Sequence, residues 1–202
     1  VWDQWDEGVF ALKVLKPVFS EDAAFRERFK REARILKQMK HPYIVEVTES
    51  GQLADGCLYL KMPILEGGTL RDHVGSPGVE PTRVAAWAKE ILSALETIHA
   101  KGMVHRDIKP ANLMRADDGR LVLIDFNAAR IADQDAQMGG RTWIGTLPFM
   151  APEQYFGDAS QQTDLYGLGA TAISLLMRDE PLGPTEEDRS FLEPVSYTHR
   201  TQ

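Results

Sequence analysis

Apolar residues follow a strand-like pattern in the first third of this chain and a helical one through most of the rest. Residues 9–15, Val-Phe-Ala-Leu-Lys-Val-Leu, are apolar on both faces of a strand except at Lys13. Ser20 is suited to cap a helix that opens with Glu21 and Asp22, in which Phe25, Phe29, Glu32, Leu36 and Met39 share one stripe. Residues 59–62 read as a further strand, broken by Glu66-Gly67-Gly68-Thr69-Leu70. Val84, Trp87, Ile91, Leu95 and Ile98 predict an amphipathic helix with Lys101-Gly102 as its cationic last turn and C-cap. The turn signal Asp117-Asp118-Gly119-Arg120 separates the apolar run beginning at Leu113 and Met114 from residues 121–124, which predicts an antiparallel hairpin. Thr163 is placed to cap a nearly all-apolar helix over residues 164–177, and such a helix is expected to be buried.

The polar residues that interrupt these patterns carry the chemistry. Lys13 inside a strand and Glu32 inside an apolar helix stripe are each expensive alone, and each supplies what the other needs. Read singly, Glu32 is a residue at the edge of its stripe and Lys13 a snorkelling lysine of an edge strand. The hairpin returns Asn112 at its entrance and Asp125 at its exit to the same end. An amide oxygen and a carboxylate are hard ligands suited to Mg²⁺. Asp107, one short loop earlier, can accept a proton from a substrate hydroxyl, and Lys109 can neutralise a transferring phosphoryl group.

Composition narrows the partners. The chain has 202 residues, 43% hydrophobic and 26% charged, which is ordinary for a globular domain. Its net charge of −7 leaves no electrostatic footprint for nucleic acid or an anionic membrane. The single Cys57 excludes an internal disulfide, fits a reducing compartment and reads as a small buried side chain. There is no signal peptide, and the longest apolar run, residues 168–177, is about half the length needed to span a bilayer. The expectation is a soluble, cytoplasmic fragment without internal repeats.

Three motifs then converge. His-Arg-Asp-Ile-Lys-Pro-Ala-Asn at residues 105–112, Asp-Phe-Asn at 125–127 and Gly-Thr-Leu-Pro-Phe-Met-Ala-Pro-Glu-Gln at 145–154 resemble a eukaryotic-like serine/threonine protein kinase, the Pro-Glu-Gln leaning towards the bacterial branch. The resemblance covers roughly residues 1–177. It implies an α+β, two-lobed kinase-like fold, with a small β-rich lobe over residues 1–65 and a mainly helical lobe over 66–192. It further implies ATP and Mg²⁺ as cofactors and a protein substrate with a Ser or Thr acceptor. Lys13 and Glu32 become the phosphate-anchoring pair, Asp107 and Lys109 the catalytic residues, and Asn112 and Asp125 the metal ligands. Ala11 and Val1 would pack on adenine, Met62 would be the gatekeeper, and Pro63, Ile64 and Leu65 the hinge. Asp164 corresponds to the family aspartate that holds the catalytic-loop backbone.

Arg106, beside the catalytic aspartate, calls for an anion, and Thr142 stands where related kinases carry an activating phosphate. Thr146 is expected to meet Lys109 near Asp107, which favours aliphatic hydroxyls. The alternative for Arg106 is a backbone carbonyl or carboxylate, with Thr142 an ordinary loop residue. The departures are equally specific. No Gly-x-Gly-x-x-Gly precedes Lys13, so the first strand and glycine-rich loop are expected to be missing, and ATP would bind poorly. The last helices are likewise expected to be missing, leaving Glu153 without its usual Arg. Asn127 replaces a glycine, a substitution that a left-handed backbone tolerates. Residues 193–202 fit no kinase element and are read as a non-native or unstructured tail. Bacterial relatives often continue into a membrane segment, so the parent protein is free to be anchored, and free to form a homodimer. The alternatives are a pseudokinase acting as an interaction module, against which the full set of polar residues argues, and a small-molecule phosphotransferase with a kinase-like core.

Overall fold

The computed structural model describes residues 2–3, 8–15, 17–20, 22–74, 79–126, 130–131 and 146–177. Strands β1 (Trp2–Asp3), β2 (Gly8–Val14), β3 (Glu49–Gln52) and β4 (Leu58–Pro63) form an antiparallel sheet in the order β1-β2-β4-β3. Lys13 lies opposite Leu60 and Ala11 opposite Met62. Because side chains alternate along a strand, these four residues share one face. Pro63 still belongs to β4, paired with Phe10, so the chain leaves the sheet at Ile64.

Between β2 and β3 come a single turn, α1 (Pro17–Ser20), and α2 (Ala23–Lys37). The helix cap differs from the sequence expectation. Asp22, not Ser20, caps α2, its Oδ1 accepting from Phe25 N at 3.2 Å. Pro17, pre-set for a first helical position, starts a turn that absorbs Ser20, whose hydroxyl donates to Leu15 O instead. Phe29, Ala33 and Leu36 are buried on the inward stripe, and Met39 follows just past the helix.

The mainly helical part is built on α3 (Pro81–His99) and α4 (Gln161–Met177), with the short strands β5 (Met103–Val104), β6 (Leu113–Arg115), β7 (Leu121–Leu123) and β8 (Arg130–Ile131). Helix α3 buries Val84, Trp87, Ile91, Leu95 and Ile98 as predicted, and Gly102 turns the chain with φ 69°. β6 and β7 form the predicted hairpin, Leu113 opposite Leu123, turning through Gly119 at φ 84°.

Two expectations about α4 are corrected. It starts at Gln161, so Thr163 lies in its first turn and donates to Ser160 O at 2.6 Å rather than standing outside as the cap. It is also not buried all round: Leu165, Tyr166, Ile173, Leu176 and Met177 are 45–72% exposed. Gly167, Leu168, Thr171 and Leu175 are buried and form the inward side. Gly167 allows close approach, since a Cβ there would lie 2.8 Å from Ile108 O.

The two parts are stitched together behind α2. Leu123 N donates to Tyr43 O at 2.9 Å and Val45 N to Leu123 O at 3.0 Å, while His41 Nε2 meets Ser93 Oγ on α3 at 3.2 Å. The helix carrying Glu32 is therefore fixed to the hairpin carrying Asn112 and Asp125.

Candidate active site

The loop after β5 is held from below by a carboxylate. Asp164, 1% exposed in the first turn of α4, accepts from His105 N at 2.9 Å, Arg106 N at 2.7 Å and His99 Nε2 at 2.8 Å. Three donors compensate a charge that would otherwise be costly to bury. They also secure Arg106 at φ 71°, a left-handed conformation unfavourable for a side chain of this size. From the other side Gln154, 5% exposed, donates to Arg106 O at 3.0 Å and accepts from Ala151 N at 3.1 Å. His105 is wholly buried, its Nδ1 accepting from Asp107 N and its ring set edge-on to Phe126 at 4.9 Å. Burial holds its pKa below the ordinary histidine value, so the ring is neutral at pH 7.

This support aims Asp107 at a compact polar cluster. Asp107 Oδ2 accepts from Lys109 Nζ at 2.7 Å and Asn112 Nδ2 at 2.9 Å, while Oδ1 accepts from Thr146 Oγ1 at 3.1 Å. Lys109 also donates to Thr146 at 2.5 Å, which closes the ring of contacts. Asn112 Nδ2 donates in addition to Asp107 O at 2.7 Å, so its amide oxygen is the atom turned away from Asp107. Ile124 N donates to Asn112 O at 2.9 Å, which keeps Asp125 level with Asn112 across the hairpin.

A second polar cluster faces it. Lys13 Nζ lies 3.2 Å from Glu32 Oε1 and 3.0 Å from Asp125 Oδ1, so the strand lysine joins the α2 carboxylate to the hairpin exit. Burial raises the Glu32 pKa, with the attraction of Lys13 opposing it. Asp125 has φ 60°, and its side chain is 39% exposed.

Against Lys13 and Asp125 opens a cleft of about 370 Å³, in the range of small-molecule sites. Its walls include Ala11, Leu60, Met62, Ile64, Leu65 and Met114, with Lys13 and Asp125 at one end. The structure thus brings together Lys13, Glu32, Asp125, Asp107, Lys109, Asn112 and Thr146, and lines the adjoining cleft with Ala11, Met62, Ile64 and Leu65. Val1, Asn127 and Thr142 lie outside the described residues, and the Arg106 side chain is buried. The bracing by Gln154 and the packing of His105 on Phe126 were not anticipated. Both lie within the quoted motifs, but their partners are set by the fold and not by spacing.

The chain matches the protein kinase domain family over residues 1–200. It is 36% identical over 177 residues to the serine/threonine-protein kinase PknH of Mycobacterium bovis, covering 87% of this chain and 30% of that protein. It is 35% identical over 162 residues to the serine/threonine-protein kinase PknD of Mycobacterium tuberculosis, covering 79% and 24% respectively. With the serine/threonine-protein kinase PknE of Mycobacterium tuberculosis it shares 34% identity over 178 residues, covering 87% and 31%. The chain therefore spans less than a third of the length of these curated relatives. With the paired lysine and glutamate, the braced catalytic loop and this match over nearly its whole length, the chain belongs to the protein kinase family, in its bacterial serine/threonine branch.

Proposed function

We propose that the protein carrying this chain transfers the γ-phosphoryl group of ATP to Ser or Thr hydroxyls of protein substrates. The observation that carries this reading is the meeting of Lys13, Glu32 and Asp125 at one end of an apolar cleft, beside the cluster of Asp107, Lys109, Asn112 and Thr146. Use of ATP and Mg²⁺ is general in this family.

The residues present suit both. The cleft is apolar where a purine would lie, with Ala11, Met62, Ile64 and Leu65 as its contacts; Val1, outside the described residues, is a further contact by the family resemblance alone, and the Leu65 N–H and hinge carbonyls are offered to the base. Asp125 and the amide oxygen of Asn112 are a hard donor pair of the sort that binds Mg²⁺ together with phosphate oxygens. Mg²⁺, when bound, offsets charge on the phosphates. Lys13, braced by Glu32, anchors phosphate oxygens. Asp107 orients the acceptor hydroxyl and takes its proton, and Lys109 stabilises charge on the transferring group. Thr146, tied to both Asp107 and Lys109, narrows the acceptor position in favour of short aliphatic hydroxyls. Arg106 and Thr142 form the regulatory pair, a phosphate on Thr142 supplying an anion for the guanidinium. Residues 1–65 and 66–192 act as the two lobes and 193–202 as a tail outside them. The active part works in the cytoplasm, although the whole protein is free to be membrane-anchored or dimeric. Among the described residues no helix is long and apolar enough to cross a membrane.

The test is phosphate transfer from labelled ATP by the full-length protein. Asp125→Ala should abolish it, and phosphoamino-acid analysis should find phosphoserine and phosphothreonine. Unchanged labelling in that variant would remove the assignment, and mainly phosphotyrosine product would remove the acceptor class. Mass spectrometry after incubation with MgATP should find phosphate on Thr142. An unmodified Thr142 in a fully active enzyme would remove the regulatory pair alone.

A further inference from the structure

The cleft wall and the metal-binding hairpin are joined by one residue that the proposed chemistry does not use. Just past the wall residues Ile64 and Leu65, Gly67 N donates to Arg115 O at 3.2 Å, and Arg115 N donates to Gly68 O at 2.9 Å. Arg115 Nε adds a side-chain bond to Gly67 O at 2.9 Å. Arg115 ends β6, three positions after Asn112 and directly after Met114, which lines the cleft. The approach is as close as the backbone permits, because a Cβ on Gly67 would lie 2.5 Å from Arg115 O and 2.7 Å from Arg115 Cβ. Gly68 holds φ 71°, which turns its carbonyl into this contact without side-chain strain.

We propose that Arg115 is a positioning residue: it clamps the hinge exit to the strand that directly follows Asn112, fixing the distance between the base-binding and metal-holding parts of the site. This rests on the nucleotide reading above. The two backbone bonds would form with any side chain, so the part specific to Arg115 is the Nε donor to Gly67 O. A ligand that touches only the hinge wall is indifferent to that distance. One that reaches from the wall to Asn112 and Asp125 is not.

Calorimetric titration of the full-length protein with two probes, adenosine and MgADP, separates these cases. Arg115→Met keeps the length and apolar stem but replaces the donor with a methyl group. It should weaken MgADP binding about fivefold, the worth of one net hydrogen bond, and leave adenosine binding unchanged. Arg115→Gln places an amide N–H at the same depth in the side chain and should restore MgADP affinity without restoring the charge. If Arg115→Met does not fold, Gly67→Ala tests the spacing itself by pushing the hinge off the strand, and should likewise weaken MgADP binding while sparing adenosine. Equal weakening of both probes, wild-type MgADP affinity in Arg115→Met, or no rescue by Gln would overturn the clamp. A wild-type protein that binds neither probe would overturn the nucleotide reading itself, and the clamp with it.

Discussion

Replacing Asp164 by Asn tests whether a single buried carboxylate sets the catalytic loop. The change is nearly isosteric, so packing in the first turn of α4 is kept and only hydrogen bonding and charge alter. In the wild-type protein Oδ1 serves Arg106 N at 2.7 Å, and Oδ2 serves both His105 N at 2.9 Å and His99 Nε2 at 2.8 Å. The asparagine oxygen can keep Arg106, but its NH₂ then faces the His105 N–H. His99 can adapt by turning its lone pair to that NH₂; His105 N cannot, being a donor in the chain itself. One charge-assisted bond is lost, the other is roughly halved, and a buried N–H is orphaned. At about 1.5–3 kcal/mol for the first, about 1 for the second and 1–3 for the third, the expected loss is about 3.5–7 kcal/mol. Against a total stability of about 5–15 kcal/mol that is large enough to read directly from urea unfolding of the full-length protein. The loop should also relax from the left-handed conformation at Arg106, moving Asp107, and a displacement of about 1 Å can cost about a hundredfold in rate. Phosphotransfer should therefore fall further than the unfolded fraction explains. A midpoint shift worth less than about 0.5 kcal/mol, with activity retained, would show that the loop does not depend on this carboxylate.

Glu32→Gln should uncouple activity from stability. Because burial raises the Glu32 pKa, the ionised form is disfavoured by folding, so its contribution is greatest below the unfolded value of 4.5 and is lost as pH rises through the folded one. At pH 7 the neutral Gln should cost little or no stability while the loosened Lys13 raises the KM for ATP; strong destabilisation, measured by urea unfolding, would refute this. His105 has the opposite acid behaviour: its pKa is lowered from 6.5 by burial, so the unfolded chain takes up the proton first and stability falls as pH drops below 6.5. His105→Phe, which keeps a ring against Phe126, should flatten that decline in unfolding free energy between about pH 6.5 and 5, and an unchanged slope would count against a buried neutral ring.

Much of the site was legible because its polar residues break an apolar period. Lys13 in a strand and Glu32 in a helix stripe announce themselves by being unaffordable alone, and the hairpin pattern fixes Asn112 and Asp125 at one end by direction alone. What the sequence could not reveal is where a pattern is ambiguous or silent. Ser20 and Asp22 are both good caps, and the choice fell to Asp22 because Pro17 had already started a turn. The apolar content of α4 says that burial is favourable but not which side meets a partner, so the exposure of Leu165 and Ile173 could not be foreseen. Gln154 and Arg106 are 48 residues apart, and Lys13 and Asp125 are 112 apart. No local periodicity encodes such pairs; they follow only once α4, the hairpin and the sheet have been packed. The same packing explains why Asp164 can be buried in α4, outside the cleft wall, and still decide where Asp107 stands. Two of its three donors are backbone amides of the loop, so it acts on the position of the Asp107 carboxylate through the main chain.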